Sequence, residues 1–189
     1  GNMIKRSPDV VVYPADEAEV QQVVDAAVAA NAVIIPFGGG SNIASSLEPL
    51  PEEKRTIISL DLGRLRKVID IDADSGLARI EAGAQGPDLE EQPNKQGWTI
   101  GHFPDSFTHS TVGGWVATRG AGQASGYYGK IEDMVVGVEC VDGTGEILFV
   151  VGFGRIPHKI AQRIPIGLAL TYVSGAISPH DHEQANKLA

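Results

Sequence analysis

Hydrophobic and polar positions along the chain fall into short blocks whose period changes repeatedly. Asp9 to Tyr13 is a β-branched run, DVVVY, closed by Pro14, and it predicts a strand. Asp16 with Glu19 three places on has a capping-box pattern, and Val20, Val23, Val24, Ala27 and Val28 then recur at helical spacing to Ala30. Val33 to Pro36 is a second strand of buried character. A helix joining two such strands predicts a βαβ unit with parallel strands and a right-handed connection. Thr56–Leu60, Lys67–Ile71 and Leu77–Glu81 are short alternating segments, the last two joined by a hairpin turn at Asp74-Ser75-Gly76. Pro87 suits the first turn of a helix that Gly97 ends, and Pro93 inside it predicts a kink or an early stop. A further helix begins at Trp115, just after Gly113-Gly114. Met134–Val141 and Ile147–Val151 form an antiparallel pair across Asp142-Gly143-Thr144-Gly145. Residues 152–189 carry only a weak apolar run from Gly167 to Ile177 and are expected to be a disordered or loosely docked tail.

These elements describe an α+β chain in two lobes. The first spans 4–109 and contains the parallel βαβ unit; the second spans 110–151 and holds an incomplete antiparallel sheet; 152–189 is an atypical tail. Hydrophobic residues make up 42% of the 189, enough for a real core, and 23 glycines against 6% aromatics imply many tight turns. Lys and Arg number 15 against 24 acids, for a net charge of −9, which argues against nucleic acid as a partner. An anionic cofactor would then be held by local amides rather than by a basic surface. The lone cysteine, Cys140, excludes an internal disulfide and sits in an apolar run as a buried small side chain. No run is apolar and long enough to cross a bilayer and no secretory leader is visible, so a cytoplasmic location is expected.

Two stretches carry candidate chemistry. Strand 33–36 runs into Phe37-Gly38-Gly39-Gly40-Ser41-Asn42, whose backbone N–H groups can form an anion nest, although taken alone such a glycine run is more often a flexible turn. The spacing is neither the dinucleotide fingerprint nor the lysine-bearing phosphate loop. Gly101 to Gly122 combines glycines, short hydroxyl side chains, aromatics and Arg119, a composition that fits equally a ligand-holding loop followed by a helix whose first N–H groups point outward and an ordinary turn before a core helix. His102 and His109 flank it, as acid–base groups or as histidines bonded within the loop. Pro179-His180-Asp181-His182-Glu183 has metal-ligand residue types but no partner ligands upstream, and no metal site is expected there.

Residues from about Ile4 to Leu148 resemble the PCMH-type FAD-binding domain of the vanillyl-alcohol oxidase family of flavoproteins, and within it the alkyldihydroxyacetonephosphate synthase branch. PFGGGSN at 36–42, GHFPDSFTHSTVGGWVATRG at 101–120 and YGKIEDMVVGVECVDGTGEI at 128–147 carry the likeness. The resemblance implies that Pro36, Phe37, Gly38, Gly39, Gly40, Ser41 and Asn42 cradle the FAD diphosphate. It assigns Pro104, Asp105, Ser106, Phe107, Thr108, His109 and Ser110 to flavin and ribityl contacts, and Ala117, Thr118, Arg119 and Gly120 to the isoalloxazine side. Without a histidine in the glycine loop, the FAD is expected to be noncovalent. The branch exchanges an acyl for an alkyl group on dihydroxyacetone phosphate in ether-lipid synthesis, so a lipid-like substrate is implied for a complete enzyme. The family's G-S-E-G-T-L-G segment and its substrate domain have no counterpart after Val151. The expected function is therefore that of a truncated FAD-binding domain, incomplete for catalysis alone, with self-association or a missing partner chain. The alternatives are an FAD-linked oxidoreductase module for a 2-hydroxy acid and a non-catalytic, self-associating remnant.

Overall fold

The computed structural model describes residues 6–151, 169–176 and 178–179. Strand β1 (Val10–Val12), helix α1 (Glu17–Ala29), β2 (Val33–Phe37) and β3 (Ile57–Asp61) build a parallel sheet in the order β1-β3-β2. The βαβ unit is therefore present, but β3 sits between its two strands. Helix α1 starts where a carboxylate can take a free amide: Asp16 Oδ1 accepts from Glu19 N at 2.9 Å, and Glu19 Oε2 accepts from Ala15 N at 2.6 Å. Val20, Val24 and Ala27 form its buried stripe.

A second sheet is antiparallel throughout, with β4 (Val68–Asp72), β5 (Leu77–Glu81), β7 (Val135–Val141), β8 (Ile147–Val151) and β9 (Ala169–Ala176) in the order β4-β5-β9-β7-β8. Two expectations change here. The 68–81 hairpin, placed with the first lobe by chain order, bonds into the antiparallel sheet instead. Residues 169–176, expected in a loose tail, form the strand between β5 and β7, with Val173 opposite both Ile80 and Val138. The physical reason is that β5 and β7 each present an open hydrogen-bonding edge, and one inserted strand satisfies both ladders.

Between β5 and β7 run α2 (Gly86–Asn94), the two-residue β6 (Trp98–Thr99), α3 (Val112–Thr118), α4 (Ser125–Tyr128) and α5 (Ile131–Met134); β10 (Ser178–Pro179) pairs with β6. Pro93 lies in α2 and the helix stops one residue later, as its missing N–H leads one to expect. One core packs Leu89 of α2, Trp115 and Val116 of α3 and Ile131 and Met134 of α5 against Ala78, Ile80, Val138 and Val173. The other sets α1 against Leu60, Leu62 and Leu65, with Val141 of β7 joining them, so α1 bridges the two sheets. Leu60, Leu65 and Leu89 are fully buried, and each such side chain contributes roughly 1.5–3 kcal/mol of hydrophobic stabilisation.

Candidate functional site

Strand β2 ends at Phe37, and the chain turns through Gly38-Gly39-Gly40 at the carboxyl edge of the parallel sheet, where open α/β sheets place ligands. The turn lies directly on the segment before α3. A Cβ on Gly39 would stand 1.7 Å from the His109 carbonyl oxygen, and one on Gly38 2.5 Å from Thr111 Oγ1. The glycines are thus required by the docking of two protein loops, before any ligand is considered. Among the described residues, the backbone amides of Gly38 through Ala44 donate no hydrogen bond within the protein.

The two loops enclose a cavity of about 670 Å³. Pro36, Gly38, Gly39, Gly40, Ser41 and Asn42 line one wall, and Pro104, Ser106, Ser110, Ala117, Thr118 and Gly120 line the other. Six of the expected contacts lie elsewhere. Phe37 is half-buried, its ring end beside Gly40, and Phe107 packs between Phe103 and Trp115 at ring distances of 5.2 and 6.4 Å. Asp105, Thr108 and His109 are exposed away from the lining, and Thr108 Oγ1 lies 3.2 Å from His109 Nδ1. Arg119 also points outward, to Glu132.

Helix α3 does not present a free amide cluster, contrary to expectation. It starts at Val112 rather than Trp115, and its first three donors are all taken: Val112 N by Ala84 O, Gly113 N by Ala82 O, and Gly114 N by Thr111 Oγ1, at 2.9, 2.8 and 3.3 Å. Glycine at 113 permits this, because a Cβ there would be 2.9 Å from Ala82. The helix is pinned to the segment just after β5.

Several side chains expected to meet ligand are committed to the protein. Ser110 Oγ donates to Ser106 O at 2.8 Å, accepts from Trp115 Nε1 at 2.6 Å, and lies 2.9 Å from the Ser106 hydroxyl, which donates to it. One donor and two acceptor positions are thereby all used. Asn42 closes its own turn, with Nδ2 donating to Ser46 Oγ at 2.9 Å and Oδ1 accepting from Ser46 N at 3.2 Å. The lining carries no charged side chain.

Beneath this wall His102 is 1% exposed, its ring 4.9 Å from Trp115, and neither ring nitrogen has a partner among the described residues. Burial pushes its pKa from 6.5 down to about 4, so it is a neutral imidazole at neutral pH. Burial likewise raises the Cys140 thiol to about 11. The candidate metal residues at 180–183 fall outside the described residues, while Pro179 lies in β10; among the described residues no group of three metal-ligating side chains occurs, and no helix is long and apolar enough to cross a membrane.

Sequence reasoning missed Ile43, Ala44, Ser46, Leu47, Thr111, Gly114 and Trp115 as lining residues. For Thr111, Gly114 and Trp115 a signal existed: with Thr118 they form one helical face at spacings of three and four. The 43–47 turn has no period and offered none.

The described geometry agrees with known proteins. The FAD binding domain family model matches residues 8–150. Alkyldihydroxyacetonephosphate synthase of Trypanosoma brucei brucei is 41% identical over 146 residues, covering 77% of this chain and 24% of that protein. The Dictyostelium discoideum protein of the same name is 46% identical over 144 residues, covering 76% and 23%. A solved alkyldihydroxyacetonephosphate synthase structure superposes with a TM-score of 0.81 at 40% identity, over 89% of this chain and 31% of that one. The chain thus spans about a quarter of the length of the curated relatives it matches.

Proposed function

The chain belongs to the FAD-binding domain family, and on that premise we propose that its cavity holds FAD noncovalently, the diphosphate lying over the amides of Gly38–Ala44. The observation that carries this reading is the run of amides from Gly38 to Ala44 that donate no hydrogen bond among the described residues and belong to residues lining a cavity without charged side chains. Pyrophosphate needs several donors at once, and a nest of backbone N–H groups supplies them without burying a lysine or arginine. It also fits a chain whose net charge of −9 would repel the anion at longer range. The wall formed by Gly114, Trp115, Ala117, Thr118 and Gly120 offers small and aromatic surface to the flavin ring. Ser106 and the loop from Pro104 border the ribityl portion.

Bound flavin supplies a ring system that accepts and returns electrons, while the protein supplies position and electrostatics. This chain's own part is to hold the diphosphate, to keep a flat apolar wall beside the ring, and to keep a neutral His102 beneath it. In a longer protein the domain would serve an alkyldihydroxyacetonephosphate-synthase-like flavoenzyme, with the groups that hold the acyl and alkyl substrates supplied outside the described residues.

The test is an FAD titration of flavin-stripped protein, followed by tryptophan fluorescence and visible flavin absorbance. A saturable one-to-one complex that releases intact FAD on denaturation is expected. Absence of quenching at any FAD concentration, with the fold intact by circular dichroism, would refute the reading.

A further inference from the structure

Arg119 ends α3 in the left-handed conformation, with φ 54° and ψ 47°, and its Nε donates to Glu132 of α5 at 2.5 Å. Its neighbours Thr118 and Gly120 line the cavity, yet its own side chain is 65% exposed on the other side of the turn. Glycine is the residue that this backbone conformation favours, and an L side chain there costs about 1 kcal/mol or more. An arginine therefore stands at a position where a smaller residue would be easier on the backbone. The gain visible in the structure is the tie to α5, reinforced by Ile131 N donating to Gly120 O at 3.2 Å. Through these two contacts the last turn of the cavity wall is anchored to the segment that leads into β7.

We propose that Arg119 and Glu132 are a positioning pair for the flavin site: they touch no cofactor, and they hold the Thr118–Gly120 turn where it forms the wall beside the ring. This rests on the reading of the cavity as an FAD site, and it differs from a direct role for Arg119 toward flavin. In a direct role, Glu132 competes for the guanidinium, and removing Glu132 leaves FAD affinity unchanged or raises it. In a positioning role, removing either partner loosens the turn in the same way.

The experiment measures FAD dissociation constants and thermal midpoints for the wild-type chain, Arg119→Gly, Arg119→Lys, Glu132→Gln and the Arg119→Gly/Glu132→Gln double variant. Arg119→Gly and Glu132→Gln should each weaken FAD binding by roughly three- to fivefold, the range open to an exposed ion pair. The double variant should be no weaker than the singles, and Arg119→Lys should recover part of the loss. Because glycine suits the backbone at 119, the Arg119→Gly thermal midpoint should be unchanged or raised, a split between affinity and stability that a purely structural bridge does not produce. Wild-type affinity in Arg119→Gly, or unchanged or tighter binding in Glu132→Gln, overturns the inference while leaving the FAD site standing. No FAD binding by the wild-type chain overturns both.

Discussion

His102 makes the chain's stability depend on pH in a window set by its burial. The imidazole is 1% exposed, unpartnered at both nitrogens, and pushed down to about 4 from an ordinary value of 6.5. The unfolded chain takes up a proton at this histidine as pH falls through 6.5, whereas the folded chain refuses it until near 4. Stability from this group is therefore complete above 6.5, falls as pH drops, and is gone below about 4. The total is about 3 kcal/mol, of which about 2 kcal/mol is lost between pH 7 and pH 5. The exposed carboxylates of Asp9 and Glu53, held down to about 2 by Arg6 and Arg55, lose their partners' benefit only at lower pH, so the windows separate. The perturbation is His102→Leu, similar in volume and without a titrating group. Urea unfolding followed by circular dichroism at pH 7 and pH 5 gives the difference between wild type and variant, in which titrations elsewhere cancel. The variant should be as stable as wild type or more so at pH 5, because it also removes two unsatisfied buried polar atoms, and its stability should lack most of the wild type's decline of about 2 kcal/mol. The same decline in both proteins would refute the assignment of a buried, uncharged imidazole.

Two further substitutions probe the site's construction. Gly39→Ala places a methyl group 1.7 Å from the His109 carbonyl oxygen, so the two loops must separate; FAD binding should vanish and the thermal midpoint should fall, and a variant that still binds FAD with wild-type affinity would contradict the loop contact. Ser110→Ala removes three hydrogen bonds and leaves the Trp115 indole N–H unpartnered in a buried position, at a cost of about 1–3 kcal/mol of unfolding free energy. Ser110→Thr, which retains the hydroxyl, should recover much of that loss; equal denaturation midpoints for Ser110→Ala and wild type would remove the network from the account.

Much of the fold could be read from local pattern, because the signals concerned were local. Asp16 and Glu19 cap α1, Val20, Val24 and Ala27 give its inner stripe, and Asp74-Ser75-Gly76 turns β4 into β5. Each depends on residues within a few positions of one another, and the hydrophobic period reports them directly. The glycine run at 38–40 and the polar segment at 104–110 drew notice by residue type, but only the family resemblance joined them into one expected site.

Tertiary structure decided what lay beyond that range. Whether β9 would form depended on the two open edges of β5 and β7, whose pairing residues lie 28 or more positions earlier in the chain, and no local period in ALTYVSGA announces them. Whether an amide is free to hold an anion is a question of what else reaches it: those of α3 are taken by Ala82 and Ala84, those of Gly38–Ala44 are not. The same holds for side chains, since Ser110 is used up by its neighbours, while Asn42 is turned to Ser46 and Arg119 to Glu132. Sequence by itself determined which groups could meet a cofactor here; three-dimensional packing decided which remain free to do so, because a hydrogen-bonding group satisfied inside the fold has nothing left to offer a ligand.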